Sequence, residues 1–293
     1  MMYVILGKTG YIGEAFCKAL EKQGKPHIAL SRDFKYNGID VDYSSMTGEF
    51  DWCLEQLANP SLYEDLTVIN CAGYIGKPNV DACESNKADT IAGNVCLPQY
   101  LSQVCWRHGA NLAHISSGCI YSGSEDFTEE DAPNFAFNSG GSFYSGTKAL
   151  AEGIVSRNKR AWQFRLRIPF DEIPSPRNYL TKCLSYDNLI DVENSVSHRG
   201  DFVNACINLM EQKAPYGIYN VCNPGGITTK QVAGMLAEKF PDEDFNFFED
   251  YKAFENATVA PRSNCTLSSD KLLNYTTMRS AEDALLDAIN KYE

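Results

Sequence analysis

The sequence predicts an α/β fold in which a doubly wound parallel sheet is followed by a smaller C-terminal lobe. Three observations predict it. An apolar run, Met2-Tyr3-Val4-Ile5-Leu6, enters the glycine turn Gly7-Lys8-Thr9-Gly10-Tyr11-Ile12-Gly13 and continues into a stretch with one apolar face (Ile12, Ala15, Phe16, Ala19, Leu20). Short apolar runs then alternate with amphipathic ones over the first 170 residues, which is the pattern of parallel strands joined by helices. Beyond that point the rhythm loosens, and Pro169, Pro174 and Pro176 interrupt regular structure.

Taken in order, the apolar runs at 2–6, 26–30, 67–70, 111–116 and 162–167 read as strands, and the amphipathic stretches at 11–23, 80–108 and 142–158 as helices. The sheet domain therefore spans 1–168. A further strand at 217–221 returns to it, so that 196–222 also belongs there, while 169–293 mainly forms the second lobe. No internal repeat or low-complexity segment interrupts this order.

At 293 residues, 44% hydrophobic and 22% charged, the chain has the composition of a folded globular protein. Its formal charge of −12 argues against a nucleic-acid or anionic-membrane surface, which requires a basic face. The eleven cysteines are scattered, odd in number and without CxxC pairs, so they read as reduced thiols in a cytoplasmic protein. No apolar run approaches the ~20 residues needed to cross a bilayer. The first strand begins at the N-terminus and leaves no room for a signal peptide, so the sequons at Asn256, Asn264 and Asn274 read as incidental. The four histidines, His27, His108, His114 and His198, show no ligand spacing, and no metal is assigned.

A strand, Gly-x-x-Gly-x-x-Gly and a helix in succession form a Rossmann-type dinucleotide site. The glycines admit a pyrophosphate close to the backbone, and the helix N-terminus supplies amides and partial positive charge. The strand His27-Ile28-Ala29-Leu30 ends in Ser31-Arg32, which suits a ribose 2′-phosphate and predicts NADPH over NADH; Asp33 argues the other way. Asn70-Cys71-Ala72-Gly73, at another strand end, either continues the cofactor groove or forms a plain turn.

Residues 114–121, His-Ile-Ser-Ser-Gly-Cys-Ile-Tyr, carry hydroxyl and thiol groups to a strand's carboxyl end, where ligands sit in such sheets. In Tyr144-Ser145-Gly146-Thr147-Lys148 a phenol and an ammonium four residues apart share one helical face. Such a pair can exchange a proton with a sugar oxygen beside a nicotinamide. Ser117 could equally cap its own backbone, Cys119 could be a small buried apolar side chain, and Lys182 a solvated helix lysine.

Together these residues resemble the extended short-chain dehydrogenase/reductase superfamily of nucleotide-sugar epimerases, dehydratases and reductases. The resemblance implies that Ser117 and Tyr144 hydrogen-bond the reacting oxygen, and that Lys148 binds the nicotinamide ribose while favouring the tyrosinate. Gly118-Cys119 stands where 4,6-dehydratases carry an Asp-Glu pair, so the resemblance argues against dehydration by this chain. Ser-x-Cys is instead similar to GDP-fucose synthases, whose cysteine serves as an acid/base in epimerisation, although no histidine matches their second group. Pro176-Arg177-Asn178-Tyr179-Leu180-Thr181-Lys182 looks like a stretch of the plant-type UDP-4-keto-6-deoxyglucose 3,5-epimerase/4-reductases. So do Gly76-Lys77-Pro78-Asn79-Val80-Asp81 with Cys83-Glu84, Pro133-Asn134, and Val259-Ala260-Pro261-Arg262-Ser263-Asn264. Ser117 in place of a threonine and Gly146 in place of a bulkier residue are the departures.

That resemblance implies conversion of UDP-4-keto-6-deoxy-D-glucose to UDP-β-L-rhamnose by C3 and C5 inversion, with Cys119 and Lys182 as candidate acid/bases, followed by reduction at C4. Arg262 is the candidate for the diphosphate, and Asn178, Lys77 and Asn79 for further substrate contacts. A separate 4,6-dehydratase would supply the ketone. A homodimer through the helices at 80–108 and 142–158 is expected by analogy. Two rivals remain: a reductase of the dTDP-4-dehydrorhamnose type without epimerisation, and a non-catalytic NADPH-binding sensor. No residue visibly distinguishes uracil from thymine.

Overall fold

The computed structural model describes residues 1–31, 34–58 and 65–293. Six parallel strands form the main sheet in the order Gly217–Asn220, Ala161–Leu166, Asn111–Ser117, Leu66–Asn70, Met2–Leu6 and His27–Leu30. Burial on both faces explains their continuous apolar runs. Along the first strand Val4 and Leu6 enter one core with Phe50, Leu54, Leu101 and Val104, while Tyr3 and Ile5 enter the other with Phe16, Leu20, Phe202 and Ile207. The strand's two-residue side-chain period thus divides a single run between two helical layers.

The chain leaves Met2–Leu6 towards His27–Leu30 on one side and later lays Leu66–Asn70 on the other. Strand order reverses there, and a crevice opens at the carboxyl ends, where doubly wound sheets bind their ligands.

The second lobe is built on a three-stranded sheet. Glu193–His198 lies between Pro169–Phe170, to which it is parallel, and Asn223–Thr228, to which it is antiparallel. Phe170, Leu180, Val196, Val232, Leu236, Leu285 and Ile289 form its core. The strand Gly217–Asn220 and the helix Arg199–Glu211 pack on the main sheet, whereas residues 196–198, expected to go with them, end a strand of the small sheet. A helix at Gly48–Leu57, not anticipated from the sequence, buries Phe50, Cys53, Leu54 and Leu57.

The continuous helix expected at 80–108 is instead divided into Ala82–Ser85, Lys87–Ile91, a π-helical turn Ala92–Cys96 and Leu97–Arg107. Two causes coincide. Pro98 has no N–H to return to the carbonyl of Asn94, which releases the regular ladder at that point. The Asn94 side chain turns to the facing loop, accepting from the Tyr74 amide at 2.7 Å and donating to its carbonyl at 2.8 Å. No helix among the described residues is long and apolar enough to cross a membrane.

Candidate active site

The glycine turn is dictated by close approach. Gly7 has φ +81°, and a Cβ there would lie 2.9 Å from the Ala72 nitrogen; one on Gly13 would lie 2.1 Å from the Gly7 oxygen. Gly10 begins the helix Tyr11–Lys22 without a side-chain cap, so the amides of its first turn suit an anion. Gly7, Thr9, Gly10, Ser31, Cys71, Ala72 and Gly73 line a cavity of about 540 Å³, completed by Tyr43, Ser44, Tyr74, Asp89, Ala92, Gly93 and Leu97.

Other residues expected to bind cofactor stand behind this surface. Asn70 is buried; its Oδ1 accepts from the Ala72 amide at 3.1 Å and its Nδ2 meets His114 Nδ1 at 3.1 Å, which fixes the loop forming one wall. Ile12 packs into the core. The Tyr11 hydroxyl donates to Asp171 at 2.7 Å, and its ring lies under the Arg199 guanidinium, so this side chain joins the two lobes. Lys8 is not among the residues lining the cavity. Arg32 and Asp33 lie outside the described residues.

The strand Asn111–Ser117 delivers Ser117, and the turn Gly118–Ile120 delivers Cys119. Ser117 Oγ accepts from the Cys119 amide at 3.1 Å, the local cap anticipated for it, and Ser117 also lies close enough to Tyr144 to favour its ionised form. The helix Phe143–Val155 carries Tyr144 and Lys148. Ser142 caps it through the Ser145 amide at 3.1 Å, and Glu84 accepts from the Phe143 amide at 2.7 Å. Gly146 is small because the Phe137 ring packs against it: a Cβ there would meet that ring at 2.3 Å.

Lys148 Nζ donates to the Ile115 carbonyl at 2.9 Å, and burial pushes its pKa down to about 8 against the opposing pull of Glu152 and Cys119. Lys148 is not among the groups that act most strongly on the Tyr144 phenol. Burial and the neighbouring Cys119 hold the Tyr144 phenol above its ordinary pKa, outweighing the hydrogen bond from Ser117 and the charge of Arg177. A phenol kept protonated is a proton donor, the form that a developing alkoxide needs.

Cys119 is half-buried and close enough to Tyr144, Lys148 and Lys182 to act electrostatically on each of them. Lys182, on the helix Tyr179–Ser185, is driven towards its neutral form first by burial and then by Arg177. It is therefore not a freely solvated lysine. Arg262 Nη1 is held by Asp81 Oδ1 at 2.7 Å and by the Ala260 carbonyl at 2.8 Å.

Asn178, expected to contact substrate, is fully buried and spent on scaffold. Its Oδ1 caps the helix by accepting from the Leu180 amide at 2.9 Å, and its Nδ2 donates to Asp171 and the Ile173 carbonyl. Lys77 is exposed, and Asn79 caps its own turn through the Asp81 amide at 2.9 Å. Sequence reasoning missed Arg167, whose Nη1 donates to Cys119 Sγ at 3.0 Å, and Arg177, which influences both Tyr144 and Lys182.

The family model described as RmlD substrate binding domain matches residues 1–293. A bifunctional dTDP-4-dehydrorhamnose 3,5-epimerase/dTDP-4-dehydrorhamnose reductase from Arabidopsis thaliana is 30% identical over 97% of this chain and 91% of its own length. The solved L780 UDP-rhamnose synthase of Acanthamoeba polyphaga mimivirus superposes with a TM-score of 0.85, at 22% identity and 99% coverage of both chains. A dTDP-4-dehydrorhamnose reductase from Bacillus anthracis, solved in complex with NADP, gives 0.78 at 14% identity, covering 99% of this chain and 98% of its own. The chain belongs to the RmlD substrate binding domain family.

Proposed function

We propose that this protein converts UDP-4-keto-6-deoxy-D-glucose to UDP-β-L-rhamnose, inverting C3 and C5 before reducing C4. The observation that carries the reading is that Cys119 lies within electrostatic reach of Tyr144, Lys148 and Lys182, so that two chemistries share one neighbourhood. Ser117, Tyr144 and Lys148 are suited to carbonyl reduction, and Cys119, with Lys182 electrostatically coupled to it, is suited to moving protons at carbon.

C3 and C5 both flank the C4 ketone, which makes their hydrogens acidic and re-forms after each inversion. Ser117 and Tyr144 stabilise the enolate oxygen while one of Cys119 and Lys182 removes a proton from one face and the other returns a proton to the opposite face. At the reduction stage the same two hydroxyls hold the C4 oxygen, and the protonated Tyr144 phenol completes the alcohol. NADPH, when bound, supplies the hydride to C4. The glycine cradle at Gly7 and Gly13, the uncapped helix start at Gly10, and Ser31 would hold it. Lys148 would face its ribose, and Arg177 and Arg262 supply positive charge for the substrate's diphosphate.

The ketone would come from a separate 4,6-dehydratase. A homodimer in the cytoplasm completes the proposal. Incubation with UDP-4-keto-6-deoxyglucose and NADPH, followed by product NMR, tests the reading. UDP-β-L-rhamnose supports it, and a 6-deoxy sugar with unchanged C3 and C5 leaves a reductase alone.

A further inference from the structure

Arg167 is a buried cation without a carboxylate. The residue is 3% exposed, and among the described residues no acidic side chain forms an ion pair with it. Nη2 donates to the Ser263 carbonyl at 2.6 Å and to Asn194 Oδ1, Nη1 donates to Cys119 Sγ at 3.0 Å, and the buried Nε has no hydrogen-bond partner. Arg165, two residues earlier, is equally buried but is bound through both Nε and Nη2 to Glu152, at 3.0 and 2.6 Å.

A desolvated guanidinium stays charged, so one with only neutral dipoles around it is strongly unfavourable. The ionisable groups facing Arg167 are thiols, those of Cys265, Cys119 and Cys222. Cys222 and Cys265 are buried, whereas Cys119 is half-buried, so that of the three it is the thiol at which solvent contact makes a thiolate least costly. Gly118 fits the same arrangement, because a Cβ there would lie 3.4 Å from Arg167 Cδ and 2.6 Å from Leu267 Cδ1.

We propose that Arg167 is a positioning residue that holds Cys119 as a thiolate with its sulfur fixed at the pocket, ready to accept a proton from the substrate carbon. This deepens the epimerase reading and rests on it. The other titratable groups facing Cys119 are Tyr144, Lys148, Lys182 and Cys265; the lysines add positive charge only while protonated, whereas Arg167 is charged at every working pH.

The test is the rate at which iodoacetamide alkylates Cys119, followed by peptide mass spectrometry on the full chain between pH 6 and pH 10. Arg167→Met is expected to slow alkylation at pH 7 at least tenfold, with rates converging to within threefold at pH 10, where the thiol ionises unaided. A role in packing alone would change the rate by one factor throughout. Equal rates at pH 7, or a constant ratio across the range, overturns the proposal. Arg167→Gln, which removes the charge and keeps hydrogen-bonding capacity, should behave alike if the methionine variant does not fold. In the unmutated protein Cys119 should react at pH 6 at least tenfold faster than the half-buried Cys96, and equal rates again overturn it. Deuterium exchange by Cys119→Ala separates the two readings: intact exchange removes the epimerase role, while the alkylation profile still decides the link to Arg167.

Discussion

The two halves of the pocket are assembled differently. Ser117, Tyr144 and Lys148, proposed to serve reduction, come from one strand end and one helix of the sheet domain. Cys119, Arg167 and Lys182, proposed to serve proton transfer at carbon, come from a short turn, the end of another strand and a helix of the second lobe. The difference teaches that reduction can be housed by the sheet domain, whereas epimerisation depends on how the two lobes are set against each other. Epimerisation should then be breakable without loss of reduction, while a change at Ser117 or Tyr144 touches both.

The largest expected effect is on reduction. Tyr144→Phe should slow NADPH oxidation with already epimerised ketone by roughly 10²–10⁴-fold, while deuterium exchange at C3 and C5 persists at a reduced rate. The mirror variant, Cys119→Ala, should slow that exchange by on the order of 10²-fold and leave reduction of the epimerised ketone within a few-fold, both read by NMR. Parallel loss of the two activities in either variant would mean that the halves are one machine.

Asn178→Ala sharpens the boundary between pocket and scaffold. Removing the cap and its donors should lower stability by about 1–3 kcal/mol, measured by denaturant unfolding, with the substrate KM within twofold of the parent. A raised KM at unchanged stability would return Asn178 to the substrate site. The smallest effect is a pH dependence. Lys148 loses its proton as pH rises through about 8, so kcat/KM for NADPH should fall by up to about tenfold by pH 9. A flat profile would show that the ammonium is not needed at the ribose.

The same division governs what the sequence reveals. The glycine turn and the Tyr144–Lys148 spacing are local, and both can be read without the rest of the chain. The main strands are legible because burial on both faces leaves uninterrupted apolar runs, and Met2–Leu6 forms as expected. Arg167 is not legible as a site residue, because its meaning comes from Cys119 and Asn194, far away in sequence. Asn178 looks polar and available in sequence, yet the fold consumes every polar atom of its side chain. The π-helical turn was hidden for a similar reason: Pro98 signals a missing hydrogen bond, but only the folded chain brings Asn94 against Tyr74.

The most direct test of two chemistries in one pocket is a single incubation in D₂O with UDP-4-keto-6-deoxyglucose and unlabelled NADPH. The account predicts a rhamnose product carrying deuterium at both C3 and C5 and protium at C4. A reduced sugar with protium retained at C3 and C5 would contradict it.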